Sequence, residues 1–422
     1  MTFLGLVVVF CAFLVLCAGA KFEFDLNSPF FLFEIALLFL FIFPSVQGLM
    51  FSGAFPNWVY LEAAFFAFLY STCFVVLRFI FVGLLKTRGV WGGVVFRSVD
   101  GVGHSCVAPG LLLVSALLFV FGLGITSISA AFELNWWDLV RSGSPLVLAA
   151  TYFAYASSSM ILLLPTLRWS KVLYCCSVVL TVLFLLFSIF ILKTRSYVLM
   201  FLVPYFLATL YSRGWRNKIG ILLLAFAIVF LFVLTRAVRH AEDLSQFLEY
   251  GLLYFIFDAA EGSETSFVDA FFFFVERGGS FPDFGENFTL WRILFFWMPS
   301  NELFVKPVDF SYVMHSAYFG SSVDEGLSMH PTVFGDAYGN AGFAGAFLYS
   351  GFLALYFSLL EGFVKLLGSR LIEIAAFSVF AVCSLTLARG AVYNGFMFSL
   401  LPLLLFCGAV WCFGFFGGIR WK

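Results

Sequence analysis

Charge is the scarcest feature of this sequence: Asp, Glu, Lys and Arg make up 11% of its 422 residues, against roughly a quarter in ordinary soluble domains. With 63% hydrophobic residues and a mean hydropathy of +1.04, no water-soluble fold can hide the apolar surface, and lipid must be the solvent for most of the chain. Paired cysteines are lacking as well. The nine cysteines all lie in or beside apolar runs and none falls in 236–340, which excludes a disulfide-stapled exported domain. There is no CxxC, His-x-x-x-His or His-Glu-x-x-His spacing, and no Asp-x-Asp in 236–340, so no metal is implied and no cofactor is expected. A net charge of -1 gives no reason to bind nucleic acid. The absence of an internal repeat argues against the repeat architecture of many transporters.

What the chain has is phenylalanine, 62 residues of it, within a succession of apolar windows near the 20 or so residues needed to cross a bilayer. They lie near 3–20, 29–50, 59–85, 107–130, 146–165, 172–192, 196–212, 219–235, 343–364, 371–388 and 394–416. The expected fold is an all-α polytopic membrane protein of about eleven transmembrane helices. About eight form an N-terminal bundle over 1–235, a large loop with short amphipathic helices covers 236–340, and about three helices fill 341–422. The window 3–20 ends in Ala18-Gly19-Ala20, the form of a signal-peptide cleavage site. It has no Lys or Arg before Lys21, so it is expected to stay as the first helix.

Orientation follows from the resistance of Lys and Arg in short loops to translocation. One alternating set of loops holds thirteen of them, from Lys21 and Lys86 to Arg420 and Lys422; the opposite short loops hold four, Arg141, Lys193, Arg195 and Arg389. The first set is expected in the cytoplasm. The N-terminus and 236–340 then face outward, and the C-terminus inward.

That outer segment concentrates the titratable groups: fifteen of 24 acids and three of four histidines, His240, His315 and His330. Its greasy stretches at 270–275 and 290–298 are too short to span and read as helices lying on the membrane face or tucked over the bundle. Asn287 and Asp243 are candidate N-caps, and Pro299 a stop. Residues 328–345 read as a helix start, with Ser328 or His330 at the cap and Pro331 in the first turn. Glycines 335, 339, 342 and 345 allow close backbone approach. A helix N-terminus would disfavour imidazolium and keep His330 a neutral base. Arg195, between two helices almost without a loop, either snorkels to headgroups or serves function. With Arg236, Arg239, Arg292, Lys306 and Arg389 it offers an anionic site for a phosphate or diphosphate. Arg78, Glu34, Glu62, Glu361 and Glu373 fall toward helix ends and read as interfacial. Asp324-Glu325 reads as a solvated pair.

Three pieces together resemble a known family: Thr194-Arg195-Ser196 at a helix end, Met298-Pro299 followed by Lys306-Pro307, and His330 with Gly342-Phe343-Ala344-Gly345 entering the next helix. The chain resembles the bacterial O-antigen polymerases of the Wzy type and, more distantly, the O-antigen ligases. The resemblance implies a metal-independent glycosyltransferase of the bacterial inner membrane, with its large loop in the periplasm. Donor and acceptor would both be undecaprenyl-diphosphate-linked oligosaccharides, and a chain-length regulator and a flippase of the same pathway would be partners. Arg195 matches the arginine of the first motif, Arg236 or Arg239 those opening the large loop, and His330 the ligase histidine. On this view His330, or failing it Asp336, accepts the acceptor's proton, while the arginines favour diphosphate departure. The rivals are a ligase that transfers finished glycan to lipid A core and a flippase of lipid-linked oligosaccharide.

Overall fold

The computed structural model describes residues 2–51, 53–87, 89, 106–125, 144–213, 218–240, 266–277, 288–298, 305–320, 322, 328–390 and 392–416. Among these every regular element is helical and no strand occurs. Among the described residues each of the eleven apolar windows overlaps a helix. Eight helical stretches are long and apolar enough to cross a membrane: Thr2–Asp25, Phe31–Phe51, Asn57–Thr87, Pro145–Leu167, Lys171–Phe190, Thr332–Leu366, Arg370–Ala388 and Val392–Cys412. The other three windows lie on Val107–Gly122, on Arg195–Arg213 with Pro204 inside it, and on Lys218–His240. Candidate caps Asn287 and Asp243, Pro299 and the pair Asp324-Glu325 lie outside the described residues.

The chain forms two compact units. The first comprises 1–93, 264–367 and 383–397, the second 94–263, 368–382 and 398–422. In the first, α1 (Thr2–Asp25) lies along α4 (Asn57–Thr87). Between them in sequence run α2 (Phe31–Leu37), a π-helical turn Leu38–Ile42 and α3 (Phe43–Phe51). Pro44 has no N–H for the carbonyl four residues back and its ring crowds that carbonyl; the wide turn just before it accommodates both effects. Further along come three short helices: α11 (Ser266–Glu276), α12 (Phe288–Leu294) and α13 (Phe310–Phe319). They lead to α14 (Thr332–Ala341) and, after a 3-10 turn at Gly342–Ala344, to α15 (Gly345–Leu366), which packs along α4.

The two greasy stretches are accordingly short helices, and α11 is tucked in: it packs on α14 and α4 with Phe271, Phe272 and Phe274 buried. Between helices in lipid the hydrophobic effect gives little drive, so shape decides. Phe supplies it. Phe30 lies flat on Phe357 at 3.8 Å and 2°, whereas Phe41, Phe66 and Tyr70 meet Phe271 or Phe334 edge-on or tilted, and the edge-on and tilted geometries add to simple contact. Gly335 and Gly345 act as expected of packing positions, a Cβ on Gly335 lying 3.2 Å from the Phe271 Cα and one on Gly345 2.6 Å from the Ala337 carbonyl carbon. Gly339 meets side chains only, and Gly342, with nothing within 4 Å of an added Cβ, is not a close-approach position.

The interfacial reading fails for three acids and bases and is corrected here. Arg78 and Glu34 are fully buried, and the Glu361 carboxylate is nearly so; Arg78 and Glu361 pair with each other inside the bundle rather than with headgroups. Glu373 pairs with Arg370 at 2.9 Å on a partly exposed helix start, as an interfacial residue does. Glu62 accepts a hydrogen bond from the Tyr338 hydroxyl at 2.8 Å.

The second unit holds α5 (Val107–Gly122), α6 (Pro145–Ala156), α7 (Met160–Leu163) with a 3-10 turn to Trp169, α8 (Lys171–Phe190), α9 (Arg195–Arg213) and α10 (Lys218–His240). Tyr197 is its hub, fully buried, bonded to Thr151 at 2.9 Å and ringed by Phe119, Phe184 and Tyr155. Helix α16 (Arg370–Ala388) begins in this unit and ends in the first, whereas α17 (Val392–Phe416) begins in the first and ends in the second.

Candidate functional site

Five of the expected site residues, His330, Asp336, Arg292, Lys306 and Arg389, belong to the first unit. The turn between α16 and α17 meets the start of α14 there: the Thr332 N–H donates to the Arg389 carbonyl at 3.0 Å. Gly390 follows at φ +96, where a Cβ would lie 2.6 and 2.7 Å from the Thr332 C and N and closer still to its carbonyl oxygen. Only a residue without a side chain lets the two backbones meet. Thr332 itself is left-handed at φ 63, uncommon for a β-branched residue and a mark of backbone held in place by its surroundings.

The start of α14 differs from the expectation. Neither Ser328 nor His330 caps it: Pro331 precedes the helix and Thr332 opens it, with its Oγ1 accepting the Gly335 N–H at 3.4 Å. The left-handed Thr332 turns the chain so sharply that the cap shifts to it. His330 thereby sits two residues before the helix, with Nδ1 buried and without a hydrogen-bond partner among the described residues. Burial, and then the nearby Arg389 guanidinium, push its imidazole down to about 3. The direction favours the neutral imidazole, but its causes are burial and a neighbouring cation rather than the helix N-terminus expected from the sequence.

Arg292, on α12, is held on three sides. It donates to the Pro307 carbonyl, its guanidinium lies 4.5 Å over the Tyr393 ring, and Asp309 stands 4.0 Å away. Asp309 in turn caps α13 by accepting from the Ser311 N–H at 2.9 Å and its hydroxyl at 2.6 Å. Lys306 donates to the Phe296 carbonyl at 3.0 Å; burial and Arg292 lower its affinity for a proton. Arg292 and Lys306 thus lie close enough to repel, with Asp309 offsetting part of that charge and a bound anion able to offset more.

Asp336 is buried on α14 with its carboxylate engaged. It accepts from the Thr289 hydroxyl at 2.8 Å and the Asn340 amide at 2.9 Å, while Asn340 accepts the Thr289 N–H at 3.2 Å. This closed set ties α12, and with it Arg292, to α14. Tyr393, Thr289 and Asn340 escaped the sequence reading, being uncharged and ordinary in type; an Asp and Asn four residues apart on one helix face was the available signal.

Arg195 opens α9 in the second unit. The link before it is tight: Thr194 N–H donates to the Ser188 carbonyl at 3.1 Å and Lys193 takes a left-handed φ of 49. Lys193 and Thr194 are buried, and burial makes Lys193 easier to deprotonate. Arg236 and Arg239 lie in the last turns of α10, and their side chains are outside the described residues. Among the described residues no group of three or more His, Cys, Asp or Glu is placed to hold a metal. Comparison of the chain with protein-family models, curated proteins and solved structures finds no match.

Proposed function

We propose that the chain is a membrane glycosyltransferase that polymerises undecaprenyl-diphosphate-linked repeat units into O-antigen or a related surface polysaccharide on the periplasmic face of a bacterial inner membrane. The observation carrying this reading is the buried, unpartnered His330 Nδ1 next to the turn that the Thr332–Arg389 backbone bond fixes, in the unit that also holds Arg292 and Lys306.

In the proposed step an acceptor sugar hydroxyl attacks the anomeric carbon of the donor glycan. A new C–O bond forms, the bond from that carbon to the diphosphate oxygen breaks, and the diphosphate leaves with the electron pair. His330 takes the hydroxyl proton. An imidazole at about 3 is a feeble base, but the depression owes part of its size to Arg389. A bound diphosphate would offset the Arg389 share of that depression and so favour the imidazole as proton acceptor, while the larger share, from burial, remains. Arg389, Arg292 and Lys306 stabilise charge on the departing diphosphate. Arg195, Arg236 and Arg239, proposed on the resemblance to bind diphosphate, belong to the second unit. Asp336, the fallback base, serves better as a positioning residue, since its Oδ1 already accepts from both Thr289 and Asn340.

Deleting the gene in its host tests the assignment. Loss of a polymerase leaves single repeats on the lipid A core; a bare core instead identifies a ligase, and lipid-linked repeats trapped on the cytoplasmic side identify a flippase.

A further inference from the structure

A second constellation of titratable groups lies in the first unit, and no step above uses it. Glu23 near the end of α1, Glu34 on α2, Arg78 on α4 and Glu361 on α15 converge inside the helix bundle. On α4, Arg78 is sixteen residues from Glu62, about 24 Å along the axis at 1.5 Å per residue, so the cluster is remote from the Glu62–Tyr338 bond near α14.

The guanidinium is fully committed to two of the three acids. Arg78 Nε donates to Glu23 Oε1 at 2.6 Å and Nη2 to Glu23 Oε2 at 3.2 Å. Nη2 also reaches Glu361, and Nη1 donates to Ser358 at 2.7 Å. Ser28 donates to the other Glu361 oxygen at 2.7 Å. Glu34 is the odd member. It is 1% exposed, packs against Gly19 of α1, and its Oε2 has no hydrogen-bond partner among the described residues.

Charge counting decides the rest. Arg78 offsets one carboxylate, so Glu23 and Glu361 together already leave one negative charge inside the bundle. A third ionised carboxylate, beside those two and with an unpaired oxygen, would cost several kcal/mol in an apolar interior. We propose that the cluster is a proton-binding site, with the proton on Glu34 and with Glu23, Arg78 and Glu361 as the charged groups facing it. The unpaired Oε2 is the atom that receives it, carboxylate plus proton giving the neutral acid.

Infrared spectroscopy of the purified full-length chain in nanodiscs tests this. At neutral pH the wild type should show the carbonyl stretch of a buried, protonated carboxyl group, and Glu34→Gln should lose it. The same variant should keep the wild-type denaturation midpoint, because the amide replaces an acid that is already neutral, whereas Glu23→Gln should lower it. Absence of the band in the wild type, its persistence in Glu34→Gln, or a fall in midpoint or failure to fold of Glu34→Gln matching that of Glu23→Gln would each overturn the proposal.

Discussion

Replacing Gly390 with alanine should damage the candidate site out of proportion to the one methyl added. Two costs combine. At φ +96 an alanine is held where L residues are disfavoured by roughly 1–2 kcal/mol. The new Cβ also falls on the Thr332 backbone, at 2.6 Å from its C and 2.7 Å from its N; these atoms cannot swing aside, and overpacking of this kind costs about 1–3 kcal/mol. The sum is about 2–5 kcal/mol, relieved most cheaply by parting the two segments and breaking the bond from Thr332 to the Arg389 carbonyl. Arg389 then moves off His330. Gly368→Ala is the control: its φ is +60 but nothing lies within 4 Å of the added atom, so only the backbone cost applies. Denaturation midpoints in detergent and polymer length on gels measure both effects. Gly390→Ala should fall well below Gly368→Ala in midpoint and yield little polymer. Equal midpoints with wild-type polymer would refute the reasoning.

Three further outcomes follow from the same geometry. The His330 imidazole is depressed in the folded chain, to about 3 from an ordinary 6.5, so its contribution to stability is complete above about 6.5 and is lost as pH falls toward 3; His330→Asn should flatten the midpoint-against-pH curve over that interval, and unchanged slopes would count against a buried neutral imidazole. Asp336→Ala leaves the buried Thr289 hydroxyl and Asn340 amide without their acceptor and should cost about 1–3 kcal/mol in denaturant titrations, whereas Asp336→Asn should retain turnover, and its complete inactivity with an intact fold would make Asp336 the base. Arg292→Lys loses the planar contact with Tyr393 and the reach to Pro307, about 0.5–2 kcal/mol of interaction, and should raise KM for the lipid-linked substrate with little change in midpoint.

The helices could be read from the sequence because membrane spanning needs long apolar runs, and such runs survive averaging over a window. Position near a helix end could not reveal burial. Arg78 and Glu361 sit close enough to the ends of α4 and α15 to pass for snorkelling residues, yet pairing across chain separations of 55 and 283 residues keeps them inside. The candidate site shows the same division. His330, Arg292, Lys306 and Arg389 stand out as charged or titratable groups away from the basic clusters expected in the cytoplasm. Their assembly depends on the Gly390–Thr332 contact, on Tyr393 beneath Arg292 and on the Asp336–Thr289–Asn340 clasp, all carried by residue types common in any helix. Ser328 looked like a cap because the left-handed turn at Thr332 leaves no mark in the sequence.

The central claim is glycosyl transfer between lipid diphosphates, and a reconstituted reaction tests it most directly. Purified chain in nanodiscs is given undecaprenyl-diphosphate-linked repeats from its host, and the products are resolved by length. Wild-type protein should build a ladder of polymers even with EDTA present, since fixed cations stabilise the leaving group, while His330→Ala and Arg195→Ala should fold and yield none. Full-length polymer from both variants, or no elongation by the wild type under any divalent condition, would contradict the account.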